Sequence, residues 1–270
     1  MKKPFARLRG QLISAGLLIA SAMFLCLPLW AEQSDRLRLS LSTGVEYSSG
    51  EYGGSESIEE VYIPVTAVYQ AERFSLRLTV PYLRVRAPRE TVTVSSGGDS
   101  IIGTGPTTTP SGLGDVIAGG TYYDILSFPD AGVAVDFTGK VKFGTADKDK
   151  GLGSGENDYT VQTDVYKFFG GLTVLGTAGY SIRGEPDGLT LDNTWFYSAG
   201  STYRFTPRTR GGLFFDFRES SLTGNESIRE ITVFCGYRLN RQWRVQTHLF
   251  TGLSDSSPDW GGGVSLRTSY

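Results

Sequence analysis

Taken two residues at a time, most of the chain separates into an apolar and a polar parity. Between residues 133 and 143, Val133, Val135, Phe137, Val141 and Phe143 share one parity, while Asp136, Thr138, Lys140 and Lys142 occupy the other. Successive side chains of a strand point to opposite faces, so this segment has one apolar and one charged surface, which a one-residue slip would exchange. The same alternation predicts a first strand on Leu37, Leu39, Leu41, Val45 and Tyr47, a second on Val61, Ile63, Val65, Ala67 and Tyr69, and a third on Phe74, Leu76, Leu78, Val80 and Tyr82. After Pro81 the apolar residues Leu83 and Val85 change parity, and a bulge at the proline is the expected cause. A fourth strand, Asp115 to Leu126, has two almost equally apolar parities; the charged segment at 133–143 is the fifth.

Further strands follow around Val161, Val174, Tyr197, Phe215, Val233 and Leu249, and the last ends on Val264, Leu266, Thr268 and Tyr270 against Ser265, Arg267 and Ser269. Short connections at Gly170-Gly171, Thr206-Pro207-Arg208 and Asn240-Arg241 alternate with long ones, among them Ala87 to Ser111 and the Gly-rich Gly144 to Asn157. The Gly-Gly pair suits a tight hairpin, and the glycines at 112, 114, 151, 153 and 155 are expected in flexible surface turns, since no amphipathic helix follows them as a phosphate loop requires. The count is twelve strands of about ten residues with one apolar face, the pattern of an antiparallel transmembrane β-barrel. Hydrocarbon offers no partner to free backbone groups, so the sheet must close. The alternative is a soluble β-sandwich whose core holds the same aromatics. Tyr47, Tyr69, Tyr82, Trp195, Trp243 and Trp260 fall at strand ends, where a barrel carries its interfacial girdles.

The first thirty-one residues are organised differently. They hold Lys2, Lys3, Arg7 and Arg9, no acidic side chain, and an apolar run from Leu12 to Trp30. This is a charged n-region and an h-region, with export and cleavage after Ala31 as the expectation; an uncleaved helical anchor is the alternative. Large Phe24 and Leu25 before Cys26 argue against lipidation. The division is then a signal peptide at 1–31 and one barrel at 32–270, both termini facing the periplasm and the Ala87 to Ser111 loop facing outward. Loss of the four leader cations takes the formal charge from −2 to −6. No basic patch invites nucleic acid. Cys235 is the remaining cysteine, which excludes an internal disulfide or a Cys-based metal site, and a composition rich in Gly, Tyr, Phe and Thr favours strands.

If the apolar parity meets lipid, both signs of charge point inward. Arg38, Glu46, Arg77, Asp136, Lys140, Lys142, Asp164, Asp216, Arg218, Arg238, Arg244 and Arg267 lie on that parity, and a midplane Arg or Lys in lipid costs about 2–4 kcal/mol. All of these but Glu46 and Arg267 are candidate pore-lining residues. They either line an open pore or pair across a filled interior; Lys140 and Lys142 in particular either bias the field toward anions or form cross-strand salt bridges. The sole histidine, His248, has no serine beside it for acyl chemistry and no companion ligands for a metal, and fits a space-filling lumen residue. Neither a cofactor nor catalysis is expected.

The Gly112-Leu113-Gly114-Asp115 segment, the Lys-rich Gly139-Lys140-Val141-Lys142-Phe143-Gly144 strand and Gly179-Tyr180 resemble motifs of an outer-membrane transporter family named for the meta-cleavage pathway of phenol degradation. Phe143-Gly144-Thr145 stands where that family carries Pro-Thr-Gly, and the resemblance spans residues 60 to 270. It implies a channel for small molecules, aromatic or hydrophobic compounds among them. Terminal Tyr270 resembles the signal that outer-membrane barrels present to their assembly machinery. The expected partners are outer-membrane lipid, that machinery and a small solute. The alternative is a non-conducting barrel serving as a scaffold or surface-interaction protein, or, least of all, an enzyme.

Overall fold

A computed structural model describes residues 38–270 apart from 53, 55, 90, 94–99, 102–104 and 187; the expected leader lies outside the described residues. Twelve long strands follow one another around a closed antiparallel barrel. They are β1 (Arg38–Gly50), β2 (Ile58–Gln70), β3 (Phe74–Pro88), β4 (Val116–Phe128), β5 (Val133–Phe143), β6 (Asp158–Phe169), β7 (Leu172–Ile182), β8 (Thr194–Arg204), β9 (Thr209–Arg218), β10 (Ile228–Arg238), β11 (Trp243–Gly252) and β12 (Trp260–Ser269). β12 pairs with β1 from Ser40↔Ser269 to Ser49↔Trp260, which leaves no open edge. Eleven residues such as those of β5, at about 3.4 Å each and tilted about 40°, rise roughly 26 Å, the height of an outer-membrane apolar band.

The parity assignment of β5 is realised. Phe137 and Phe143 are exposed on the outer wall, while Asp136 and Thr138 are buried on the inner one. Leu39, Leu41, Val45, Val65, Leu76, Leu78, Val161, Val233 and Leu249 are likewise exposed outward, as befits side chains whose solvent is lipid. Aromatic pairs band the outside near both rims: Tyr47 with Trp260 at 5.3 Å and Tyr180 with Trp195 at 4.9 Å at the long-loop end, Tyr203 with Phe205 at 5.2 Å at the short-turn end. Outer-membrane barrels turn their short connections to the periplasm, which makes the second rim periplasmic.

One expectation about the strands needs correction. No bulge interrupts the β2–β3 ladder at Pro81; the register runs unbroken from Gln70↔Ser75 to Glu59↔Arg86, with Pro64 opposite Pro81. The outer face changes character there because β3 leaves the hydrocarbon layer. Arg84 and Arg86 now face solvent, Arg86 pairing with Glu59 at 2.8 Å, while Leu83 and Val85 turn inward. What the prolines interrupt is the pairing with their outer neighbours, since neither has an N–H to donate. β1–β2 skips from Thr43↔Val65 to Glu46↔Tyr62, and β3–β4 stops at Thr79↔Ile117, beyond which Ser111–Leu113 takes over against Tyr82–Arg84.

The bulge sits in β4 instead. Tyr122 faces Phe137 and Leu126 faces Val135, so four steps oppose two, and Asp124 carries a positive φ of 52°. Its amide donates to Asp136 Oδ1 at 2.9 Å. Two extra residues explain why the parities of this strand were evenly apolar: Ile125 is extruded to the outside beside Leu126, and Tyr123 enters the lumen, donating to Ser75 Oγ at 2.6 Å.

Candidate functional site

A barrel of this kind acts through its lumen, and inward-facing rows of residues can be followed strand to strand through the register. One row passes Asp136, Asp164, Thr177, Ser198, Asp216 and Glu230 on β5 to β10. It places four carboxylates on one continuous path that climbs from the short-turn side at β5 to the mouth at β10. Asp164 accepts from Thr177 Oγ1 at 2.6 Å and from Gln162 Nε2 at 2.9 Å. Arg218 follows Asp216 on the same face and is buried at 2 % exposure. Lys140, two inward rows nearer the mouth, donates to Gln162 and shares its row with Arg77 across Gly119.

A cluster of arginines stands at the short-turn end. Arg204 pairs in register with Arg210, Arg238 with Arg244, and Arg244 with Arg267, all on the inner face next to the short turns, where Arg38 begins β1. Arg267 donates to Ser40 Oγ at 2.9 Å. Between the acidic row and this basic rim lies an apolar patch of Ala134, Tyr166, Leu175, Phe214 and Phe234, with Phe168 packed against it. Tyr166 and Phe168 are stacked at 6.3 Å, Phe214 and Phe234 at 5.9 Å.

At the mouth the Gly144 to Asn157 loop is not a free surface turn. Ala146 and Leu152 fold inward onto Ile58, Tyr62, Leu83 and Val85, leaving Leu152 only 2 % exposed. Apolar side chains that β3 carries above the lipid must be covered by something, and the loop covers them. Lys142 fastens the arrangement, lying 2.9 Å from Asp115 and 3.4 Å from Asp158 and donating to Ser154 at 3.2 Å. Asp158 also takes Arg183 at 3.0 Å, and Asp115 Oδ1 accepts from the amide of Ala146 at 2.9 Å. The Gly-Leu-Gly-Asp segment is thus a joint: a Cβ on Gly114 would stand 2.8 Å from Leu83 Cδ1, while Asp115 reaches across to the loop. On the outer side of the loop, the Lys150 ammonium hydrogen-bonded to Asp147 holds that carboxyl below the ordinary range.

His248 on β11 reaches Glu46 on β1, Nε2 to Oε2 at 2.8 Å, over the intervening β12. Gly263 occupies the register position between them, and a Cβ there would meet His248 Cε1 at 2.8 Å. The histidine therefore ties two strands together.

Of the sequence-derived candidates, Asp136, Asp164, Asp216, Arg218, Lys140 and Arg77 share the mid-lumen walls, Lys142 belongs to the loop joint, and Arg38, Arg238 and Arg244 belong to the basic rim. Sequence reasoning missed as site residues Asp115, which immediately precedes β4, and Asp158, the first residue of β6, together with the inward aromatics. The runs Leu213-Phe214-Phe215 and Val233-Phe234-Cys235 were the available signal: the middle residue of three consecutive apolar ones must face inward. Tyr270 extends outward past β12, exposed, its amide held by Leu39 O at 2.9 Å.

A family model described as "Putative MetA-pathway of phenol degradation" matches residues 52–269. An outer membrane channel from Pseudomonas putida F1 superposes with a TM-score of 0.68 at 15% identity, over 88% of this chain and 97% of that one. The KdgM porin gives 0.53 at 10% identity over 86% and 99%. The translocator domain of the autotransporter NalP from Neisseria meningitidis gives 0.52 at 12% identity over 87% and 89%. These likenesses establish the fold. No curated protein matches the chain in sequence.

Proposed function

This chain belongs to the family described as "Putative MetA-pathway of phenol degradation", and from that premise we propose that it is a passive outer-membrane channel for small molecules, aromatic and hydrophobic compounds among them. The observation that carries the reading is the apolar patch of Tyr166, Phe168, Leu175, Phe214 and Phe234 on the inner wall. An interior closed by ion pairs alone has no use for it, whereas a solute with an aromatic body gains from stacking against such rings. In this reading the charged rows on either side orient the polar end of the solute, and the candidate lining residues act as a group. The channel and porin named in the comparisons agree with this role.

The competing reading is a non-conducting barrel, and one observation favours it: inward side chains such as Asp164 and Phe214 are at most 1 % exposed. Purified barrel in planar bilayers and liposomes separates the two. Steady small conductance, with phenol entering the liposomes faster than it enters protein-free ones, is the expected result. A barrel that is folded by heat-modifiable gel mobility yet passes neither ions nor phenol would overturn the channel.

We further take Tyr270 as the mark read by the assembly machinery, since it stands exposed at the end of the last strand. Deleting it should lower the amount of folded barrel recovered from outer membranes several-fold while leaving refolding in detergent unchanged. Equal recovery would remove the assignment.

A further inference from the structure

The inward phenylalanines are arranged in a repeated way. Phe196 stands directly opposite Gly179, Phe214 opposite Gly200, Phe234 opposite Gly212 and Phe250 opposite Gly261. Among the described residues, every inward-facing strand phenylalanine except Phe168 has such a glycine beside it. A Cβ on these glycines would lie 2.1 Å from Phe196 Cζ, 2.2 Å from Phe214 Cδ1, 2.4 Å from Phe234 Cε1 and 2.2 Å from Phe250 Cζ; at Gly200 and Gly212 it would also press on the backbone, Leu213 O at 2.6 Å and Ser201 O at 2.4 Å, whereas at Gly179 and Gly261 the three nearest atoms all belong to the ring. No real Cβ comes so near another heavy atom, so each ring occupies the volume of the side chain its neighbour lacks.

This position is unusual for a strand residue. Side chains ordinarily stand perpendicular to the sheet, which inside a barrel means toward the axis. Here each ring reaches sideways across the spacing of about 4.8 Å between strands and lies along the wall. Aromatic cover of a strand glycine also supports the sheet, and that benefit is available on either face. On the outer wall, however, the nearest comparable contacts are looser: a Cβ on Gly211 would meet Phe205 at 3.0 Å and one on Gly171 would meet Tyr203 at 3.5 Å. The tight seating belongs to the lumen, where space is what a channel needs.

We propose that Gly179, Gly200, Gly212 and Gly261 set the bore of this channel and hence the largest solute it passes, by giving the inward phenylalanine rings a place to lie along the wall. The proposal rests on the conducting reading above. A methyl group at a seat excludes the ring, and the ring then has only the lumen to enter.

The test is single-channel conductance, which is measured per channel and does not depend on folding yield. Gly179→Ala and Gly261→Ala, at the seats where the ring's atoms are the nearest obstacles, should each lower it by at least about twofold, and Gly179→Ala combined with Phe196→Ala should restore it, there being no ring left to displace. Unchanged conductance in both single glycine variants overturns the proposal. If the glycine variants fail to fold, Phe214→Ala and Phe234→Ala carry the test by emptying the seats from the other side. Conductance equal to or above the unsubstituted barrel is then expected, and a fall overturns the proposal. A crystal structure of Gly179→Ala gives a readout independent of conduction. It must show the Phe196 ring turned toward the barrel axis; a ring still on the wall, with β7 and β8 pushed apart, refutes the proposal. A wild-type barrel that passes neither ions nor phenol would instead refute the channel reading, and the ring position would still answer for the seats.

Discussion

Replacing Lys142 by glutamate is expected to cost the barrel about 3–5 kcal/mol, the loss typical of a buried ion pair deprived of one partner. Lys142 is only 14% exposed and faces Asp115 and Asp158, which are 9% and 6% exposed. The substitution would gather three carboxylates around Ser154, with Arg183 alone to offset them, and release the loop that Asp115 and Lys142 jointly hold. Denaturant unfolding in detergent, followed by tryptophan emission and heat-modifiable mobility, gives the cost. The same reversal at Lys148, on the outer side of the loop, is the control and should change stability little. A Lys142→Glu barrel as stable as the control would mean that the joint contributes nothing. Since Lys142 is consumed by this joint and Lys140 by Gln162, the pair forms local cross-strand contacts rather than two free cations on one wall.

The second large effect is expected on the opposite face of the same strand. Phe137 lies near the middle of β5 and is exposed to the lipid at 42%. An arginine there should cost about 2–4 kcal/mol in a bilayer, the price of a guanidinium at the midplane. In detergent micelles, where the head group finds water easily, the cost should be much smaller. Arginine at half-buried Ser265, on the inner face of β12, should be tolerated in both. Reversible unfolding into phospholipid vesicles measures all three. An equal cost for Phe137→Arg in vesicles and in micelles would contradict the placement of this face in hydrocarbon.

The strand pattern was legible because lipid and lumen impose opposite chemistry on successive residues, and β5, with lysines and aspartate on one parity, shows it undiluted. Reading failed where one of the two solvents changes. At Pro81 the outer environment passes from hydrocarbon to water, which reverses the apolar parity without any change in the backbone. In β4 two extra residues between Tyr122 and Leu126 blend the parities. The Gly144 to Asn157 loop has the composition of a surface turn, and nothing within it announces that Leu152 packs on Leu83, since that partner is supplied by a distant strand. For the lumen, alternation identified which charges face inward but not which converge. Convergence depends on how far each strand is offset from the next, and this put Asp136 and Glu230, five strands apart, on one continuous row. The glycine seats were hidden for the same reason, because Gly200 and Phe214 become neighbours only when the register of the hairpin is known.

The contact between Glu46 and His248 joins residues 202 positions apart. They cannot meet until β12 has been laid between β11 and β1 and the first and last strands have paired. Whatever free energy the contact supplies is therefore absent while the sheet is still open and present only in the finished ring. By the usual partition between folding and unfolding rates, an interaction formed after the transition state slows opening without hastening closure. Gly263, by leaving the gap through which the two side chains touch, gives the seam a kinetic latch: it does nothing for the speed at which the barrel forms and lengthens the time for which it stays shut.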